Sequence, residues 1–187
     1  MAEGKYVSLS GGTLGKADFD YGNSSTGTVS AAYKAGSQFS AAYGQKLQGN
    51  WRGEVAIVSS SQDIEKSVYH LGATTNTNTT TGGIKVLSLW ANGYYDFAVK
   101  GPVKPYLGGG VGVTKADIVD GIGINDSATT LGVQAMAGVN FEASKQFDIF
   151  AEARYTRQGR YEITLSSSKT DVSLDNAALI GGVRIKF

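Results

Sequence analysis

The chain has no cysteine, which excludes disulfide scaffolds and cysteine-ligated zinc. It has no surplus of either charge: 17 lysines and arginines face 16 acids, for a formal net charge of +1. A strongly basic nucleic-acid binder is therefore excluded, because no positive field would draw in phosphates. No stretch approaches the roughly 20 consecutive apolar residues of a membrane-spanning helix. That excludes a helical membrane protein but not a β-barrel, whose strands need only about 9–11 residues that alternate apolar-out and polar-in. Disorder is excluded in turn, since 41% of the 187 residues are apolar and 10% aromatic. The length suits one domain over residues 1–187.

What the sequence does have is glycine, 26 residues of it, and a period of two. Val133, Ala135, Ala137, Val139 and Phe141 alternate with Gln134, Met136, Gly138 and Asn140. Phe147, Ile149, Ala151, Ala153 and Tyr155 alternate with Asp148, Phe150, Glu152 and Arg154. The last strand sets Ala177, Leu179, Gly181, Val183, Ile185 and Phe187 against Asn176, Gly182, Arg184 and Lys186. Trp51, Val55 and Ile57 stand against Arg52 and Glu54. Shorter runs around Val7–Ser10, Phe39–Gly44, Leu87–Asn92 and Leu107–Val113 bring the count to eight segments. Residues 27–35 alternate as well. They read as an outward extension of the second strand bent at Gly36, or as an extra hairpin arm that would make the strand count odd.

The connections differ in length in strict alternation. Those near 46–50, 98–104 and 142–146 are short; those near 12–36, 59–83, 115–130 and 156–174 are long and rich in Ser, Thr, Asn, Asp and Gly. An up-and-down antiparallel barrel puts alternate connections on opposite ends, so four long loops share one rim and three short turns the other. Outer-membrane barrels show this asymmetry, with short periplasmic turns and long extracellular loops. The expected fold is an all-β, eight-stranded antiparallel up-and-down transmembrane barrel.

Polar parity then defines a lumen. Arg52, Glu54, Asp148, Glu152, Arg154, Arg184 and Lys186 all oppose the apolar face. A membrane barrel turns such residues inward, where eight strands leave just enough room for side chains to fill the space. Unpaired buried charges are costly, so Arg52, Arg154 and Arg184 are expected to pair with Glu54 and Glu152 in a packed interior. Inward glycines at 108, 110 and 112 would make room for large neighbours. Trp51, Tyr43, Phe141, Phe147, Tyr95, Phe97 and Phe187 sit beside the short turns, as an interfacial aromatic girdle would.

Two blocks carry a family resemblance: Ser88-Leu89-Trp90-Ala91-Asn92-Gly93-Tyr94-Tyr95-Asp96-Phe97, and Pro105-Tyr106-Leu107-Gly108-Gly109-Gly110-Val111-Gly112-Val113. Together they resemble the small outer-membrane β-barrel surface proteins, opacity-protein-like and surface-antigen-like relatives of the OmpA/OmpX type. Asn50-Trp51-Arg52 with Glu54 resembles their third strand, and Phe150 to Tyr155 their seventh. The resemblance fails in the long loops. It also implies a C-terminal signal for the barrel-assembly machinery, matched by Gly182, Ile185 and Phe187, while Ile180 departs from the usual polar residue. No basic start or apolar core of a secretory leader is present, so Met1 reads as an initiator ahead of a mature start. The barrel is expected to stand without the peptidoglycan-binding domain that follows it in full-length OmpA-like proteins.

Motifs for chemistry are weak. Lipid A-modifying barrels would require a histidine with a serine and an acid, and the single histidine, His70, lies in a long loop. Gly109-Gly110-Val111-Gly112 lies within a strand and opens no helix, so it is no phosphate cradle. No metal-ligand spacing occurs, and Asp117, Asp120 and Asp126 read as solvated turn residues. The expectation is a non-enzymatic, cofactor-free monomer in a Gram-negative outer membrane, with periplasmic termini. Its partners would be lipopolysaccharide and phospholipid, the assembly machinery, and a host or environmental ligand met by loop residues such as Phe19, Tyr21, Tyr69 and Tyr161. A narrow solute channel is the alternative, and a soluble ligand-binding barrel, which would need the opposite facing, a third.

Overall fold

A computed structural model describes the backbone of residues 4–187 except 16, 24–26, 34, 72–73, 79–82, 120–124, 160, 166–167 and 173–174. Side chains are described outside 16–34, 64–82, 118–128 and 160–174. The strands are β1 (Lys5–Leu14), β2 (Ala17–Asn23), β3 (Gly27–Tyr33), β4 (Gly36–Lys46), β5 (Trp51–Leu71), β6 (Thr74–Asn78), β7 (Gly83–Asp96), β8 (Val103–Val119), β9 (Asn125–Glu142), β10 (Phe147–Gln158), β11 (Tyr161–Leu165), β12 (Ser168–Val172) and β13 (Asp175–Lys186).

Eight of these close on themselves. β4, β1, β13, β10, β9, β8, β7 and β5 pair in that order, all antiparallel, and β5 returns to β4. The first and last barrel strands are joined from Tyr6↔Lys186 to Leu14↔Ala178. Closure leaves no open edge among the described barrel strands, which a sheet in lipid requires.

Period-two chemistry decides which side of each strand faces out. On β9 the outward residues Leu131, Val133, Ala135, Ala137, Val139 and Phe141 alternate with inward Gln134, Met136 and Asn140. The outward set is exposed, with Leu131 at 71% and Leu179 at 68%. Leu131 to Phe141 spans ten residue steps, about 33 Å of strand and roughly 25 Å once tilted by about 40°, the height of a barrel's apolar band. Towards the long connections the outward residues then turn polar: Thr13, Ser37, Ser59, Lys85, Lys115, Thr129, Arg157 and Asp175. A contiguous exposed apolar belt of this extent is a lipid-facing surface. Trp51, Tyr95, Phe97, Tyr43 and Phe187 crowd its short-turn margin, with ring centroids 5.1 Å apart for Trp51–Tyr95, 5.3 Å for Tyr95–Phe97 and 6.5 Å for Tyr43–Phe187.

The long connections themselves contain paired strand. β5 runs 21 residues to Leu71, and β8 and β9 remain paired to Val119↔Asn125. β2 pairs β3, and β3 continues along β5 where β4 leaves off, with a register shift between Ala32 and Tyr33. Residues 27–33 are therefore an outward extension of the second barrel strand, and the barrel count stays at eight. β6 pairs the end of β5, and β11 pairs β12. Beyond the lipid both faces of a strand are wet, so the ladder persists while the hydrophobic alternation that reveals it disappears.

The interior is packed by a repeated device. Each described inward aromatic lies across the ladder from a glycine: Tyr6↔Gly44, Trp90↔Gly112, Tyr94↔Gly108, Tyr106↔Gly138 and Phe150↔Gly182. The ring lies over the bare backbone of its partner. A Cβ on Gly138 would meet Tyr106 Cζ at 2.5 Å, and one on Gly182 would meet Phe150 Cζ at 2.5 Å. Narrowness thus dictates glycine at these positions.

Candidate functional site: the charged barrel interior

The short-turn half of the lumen is built around Arg52, which is 2% exposed. Its Nε donates to both carboxylate oxygens of Asp96 at 2.9 Å, and its Nη1 donates to Tyr6 Oη at 3.0 Å. The guanidinium lies 4.2 Å from the Tyr94 ring centroid and 5.0 Å from that of Tyr106. A planar cation between aromatic faces keeps favourable electrostatics after water is stripped away. Glu54 is bound by neutral donors: Tyr6 Oη at 3.1 Å, Tyr94 Oη at 3.2 Å and Asn92 Nδ2 at 3.4 Å. Asn92 in turn accepts from Gln134 Nε2 at 2.6 Å.

Two further groups complete the tier. Arg184 donates to Asn140 Oδ1 at 2.8 Å, lies 4.0 Å from Asp148, and stacks on Tyr6 and Phe150 at 4.7 and 5.2 Å. Lys186 Nζ reaches the other oxygen of Asp148 at 2.6 Å. Arg154 holds Glu152 Oε1 through Nε at 3.0 Å and Nη2 at 2.7 Å, and Tyr106 Oη donates to Glu152 Oε2 at 3.0 Å. Towards the long connections, Ser88 donates to Thr114 at 3.1 Å. A cavity of about 20 Å³, room for about one water, remains among residues that include Gln38, Trp90, Arg154 and Asn176.

The lumen residues expected from the sequence, Arg52, Glu54, Asp148, Glu152, Arg154, Arg184 and Lys186, face inward, but the pairing differs from the expected one. Of the expected partners, only Arg154 and Glu152 meet as an ion pair. Arg52 takes Asp96, and Arg184 and Lys186 share Asp148. The reason is position along the barrel axis. Asp96 and Asp148 lie at the short-turn end beside Arg52, Arg184 and Lys186, whereas Glu54 is one step further in, opposite Asn92. Three tyrosines were missed altogether. Extending the parity of Asn92 to Tyr94 and Asp96, that of Gly108 back to Tyr106, and that of Ser8 back to Tyr6 would have found them.

Of the C-terminal trio, Gly182 faces inward under Phe150, while Ile185 and Phe187 face the lipid side. Ile180 is 4% exposed and packs in the lumen with Leu14, Phe150 and Ala178, which accounts for an apolar residue there. The backbone places Phe19 and Tyr21 on β2, Tyr69 on β5 and Tyr161 on β11; their side chains, and that of His70, lie outside the described residues. Asp117 is described and lies 3.7 Å from Lys115; the side chains of Asp120 and Asp126 are not. Among the described residues no three acids or histidines gather as a metal would require.

Comparisons with known proteins agree with this geometry. The structure superposes on neisserial surface protein A with a TM-score of 0.61 at 23% identity, covering 98% of this chain and 97% of that one. It matches the outer membrane protein OprG of Pseudomonas aeruginosa with a TM-score of 0.67 at 15% identity, over 100% and 97% of the two chains. Ail, the attachment invasion locus protein of Yersinia pestis, crystallised with the heparin analogue sucrose octasulfate, matches at 0.51 and 18% identity over 97% and 99%. At these identities the likeness is one of fold. No curated protein matches by sequence. A family model described as the outer membrane protein beta-barrel domain covers residues 2–187. The chain therefore belongs to the outer-membrane β-barrel protein family, whose place is the bacterial outer membrane.

Proposed function

We propose that the protein is a non-enzymatic surface protein, adhesin-like in role. In this reading a closed barrel anchors long hairpins on the extracellular side, and the termini and short turns lie in the periplasm. The observation that carries it is the contrast between the two ends. Strands continue as paired ladders past the apolar band at one end only, in β2–β3, β5–β6, the outer parts of β8 and β9, and β11–β12. Phe19, Tyr21, Tyr69 and Tyr161 lie on these paired strands, and backbone pairing lowers the ordering cost of binding.

Charge narrows the ligand. In sequence, the segments 16–34, 63–85, 115–129 and 157–175 carry eight cations against ten acids. A net-acidic surface favours hydrogen bonding and aromatic contact over capture of a polyanion. The packed lumen weighs against the channel reading, since Tyr6 and Tyr106 are each 1% exposed and Thr114 is fully buried. The lipid partners, the assembly signal at Gly182, Ile185 and Phe187, and a monomeric state suited to a closed barrel belong to the same proposal.

The test replaces residues 17–33 by a two-residue turn in a strain that displays the protein. Binding of the host cell or matrix ligand is expected to fall while heat-modifiable folding persists. Unchanged binding after this and the equivalent replacement of 161–172 would refute the adhesin role. Planar-bilayer recordings are expected to show no conductance, and stepwise conductance would favour the channel.

A further inference from the structure

We propose that the short-turn rim holds a binding site for the headgroup of an anionic phospholipid, formed between the β4–β5 and β7–β8 turns. The first support is the sorting of charge. Lumen cations and acids cancel at four each: Arg52, Arg154, Arg184 and Lys186 against Glu54, Asp96, Asp148 and Glu152. The short-turn rim instead carries five lysines, Lys5, Lys46, Lys100, Lys104 and Lys145, against Glu3 and Glu142 in the sequence. The near-neutral total conceals a positive collar at this end.

The second support is a built hollow. Asn50 joins the two turns: its carbonyl accepts from Asp96 N at 2.9 Å, and its Nδ2 donates to Asp96 O at 2.8 Å. Gly49 and Gly101, at φ of +69° and +112°, let the two turns bend tightly. Between them lies an open hollow of about 440 Å³, lined by Lys46, Trp51, Phe97, Lys100 and Lys104 and by Asp96, whose carboxylate is bound by Arg52. Lys104 is paired with Glu142 at 2.8 Å. Lys46 and Lys100 have no carboxylate within ion-pair distance among the described residues, and two acids at this end, Asp96 and Asp148, are neutralised by Arg52 and Lys186.

The third support is the level of the site. Trp51 is 54% exposed and belongs to the aromatic girdle, so the hollow sits where headgroups meet acyl chains. A phosphodiester would lie between Lys46 and Lys100, with its acyl chains along Trp51, Tyr95 and Phe97. A zwitterionic lipid brings its own ammonium or choline into the lysine field, which weakens it. A soluble anion gains nothing from the apolar wall. The level of the site rests on the membrane reading above, but the site itself does not depend on which rim faces the periplasm.

The test is a native mass-spectrometric titration of the detergent-solubilised barrel with phosphatidylglycerol and with phosphatidylcholine of identical chains. Phosphatidylglycerol is expected to bind at least about five-fold more tightly. The Lys46→Gln/Lys100→Gln double variant is expected to bring the ratio to about one, while Lys115→Gln at the opposite rim leaves it unchanged. Equal binding of the two lipids by the unaltered protein, or an undiminished preference in the double variant, would overturn the proposal. Displacement of the lipid by millimolar inorganic phosphate would overturn it in favour of a free-anion site. Both rims are accessible in detergent, so an inverted orientation would leave this result intact and would emerge only from surface labelling of the hairpins in cells.

Discussion

At the residue scale, the interior depends on compensation. Glu152 and Arg154 sit two apart on β10, both nearly fully buried, and Tyr106 takes the remaining carboxylate oxygen. A buried pair of this kind adds little net stability, yet removing one member strands the other. Glu152→Ala is therefore expected to cost about 3–5 kcal/mol in urea unfolding from lipid vesicles. A Glu152→Leu/Arg154→Leu double variant should lose much less. Equal losses would mean that the pair contributes attraction rather than mutual neutralisation. Parity alone placed Glu152 and Arg154 in the lumen, because each stands one residue from an outward alanine. Partner choice was not legible. Parity fixes a face and not a height, and the pairing of Arg52 with Asp96 depends on how far each lies from the short turns.

At the element scale, each strand is specified by two different messages. Within the membrane, alternation writes the strand plainly, as in Phe147 to Tyr155. Outside it, Ser59 to Leu71 carries no comparable alternation, yet β5 continues through it because Ser37 to Phe39 and then β3 supply a paired partner. The cross-strand aromatic–glycine pairs are the packing counterpart of this rule, and they separate inward from outward glycines. Gly138→Val would drive a side chain into Tyr106 Cζ and the carbonyl oxygen of Ala151, both within about 2.6 Å of its Cβ. It is expected to lower stability by about 1–3 kcal/mol. Gly181 faces lipid, and a Cβ there would have nothing within 4 Å, so Gly181→Val should be neutral or mildly stabilising. Equal effects of the two substitutions in the same unfolding assay would contradict the assigned facing.

At the scale of the whole molecule, the features that are absent from the sequence acquire a meaning that composition alone did not give them. The missing apolar run is replaced by a belt assembled from alternate residues of eight strands. The near-zero charge resolves into a cancelled lumen, a lysine collar and long connections whose sequence carries a slight excess of acids. The family and the architecture were legible because lipid imposes the same two-residue rule on every strand. The ligand was not, because the hairpins that would carry it are free of that rule. The central claim is that the exposed apolar belt is a lipid surface and the charged face is the interior. Refolding from urea with and without detergent, followed by circular dichroism and unboiled gel mobility, tests it most directly. A β-sheet spectrum and heat-modifiable migration are expected in detergent micelles, with aggregation in plain buffer. A monodisperse, fully folded β-protein in plain buffer would contradict it.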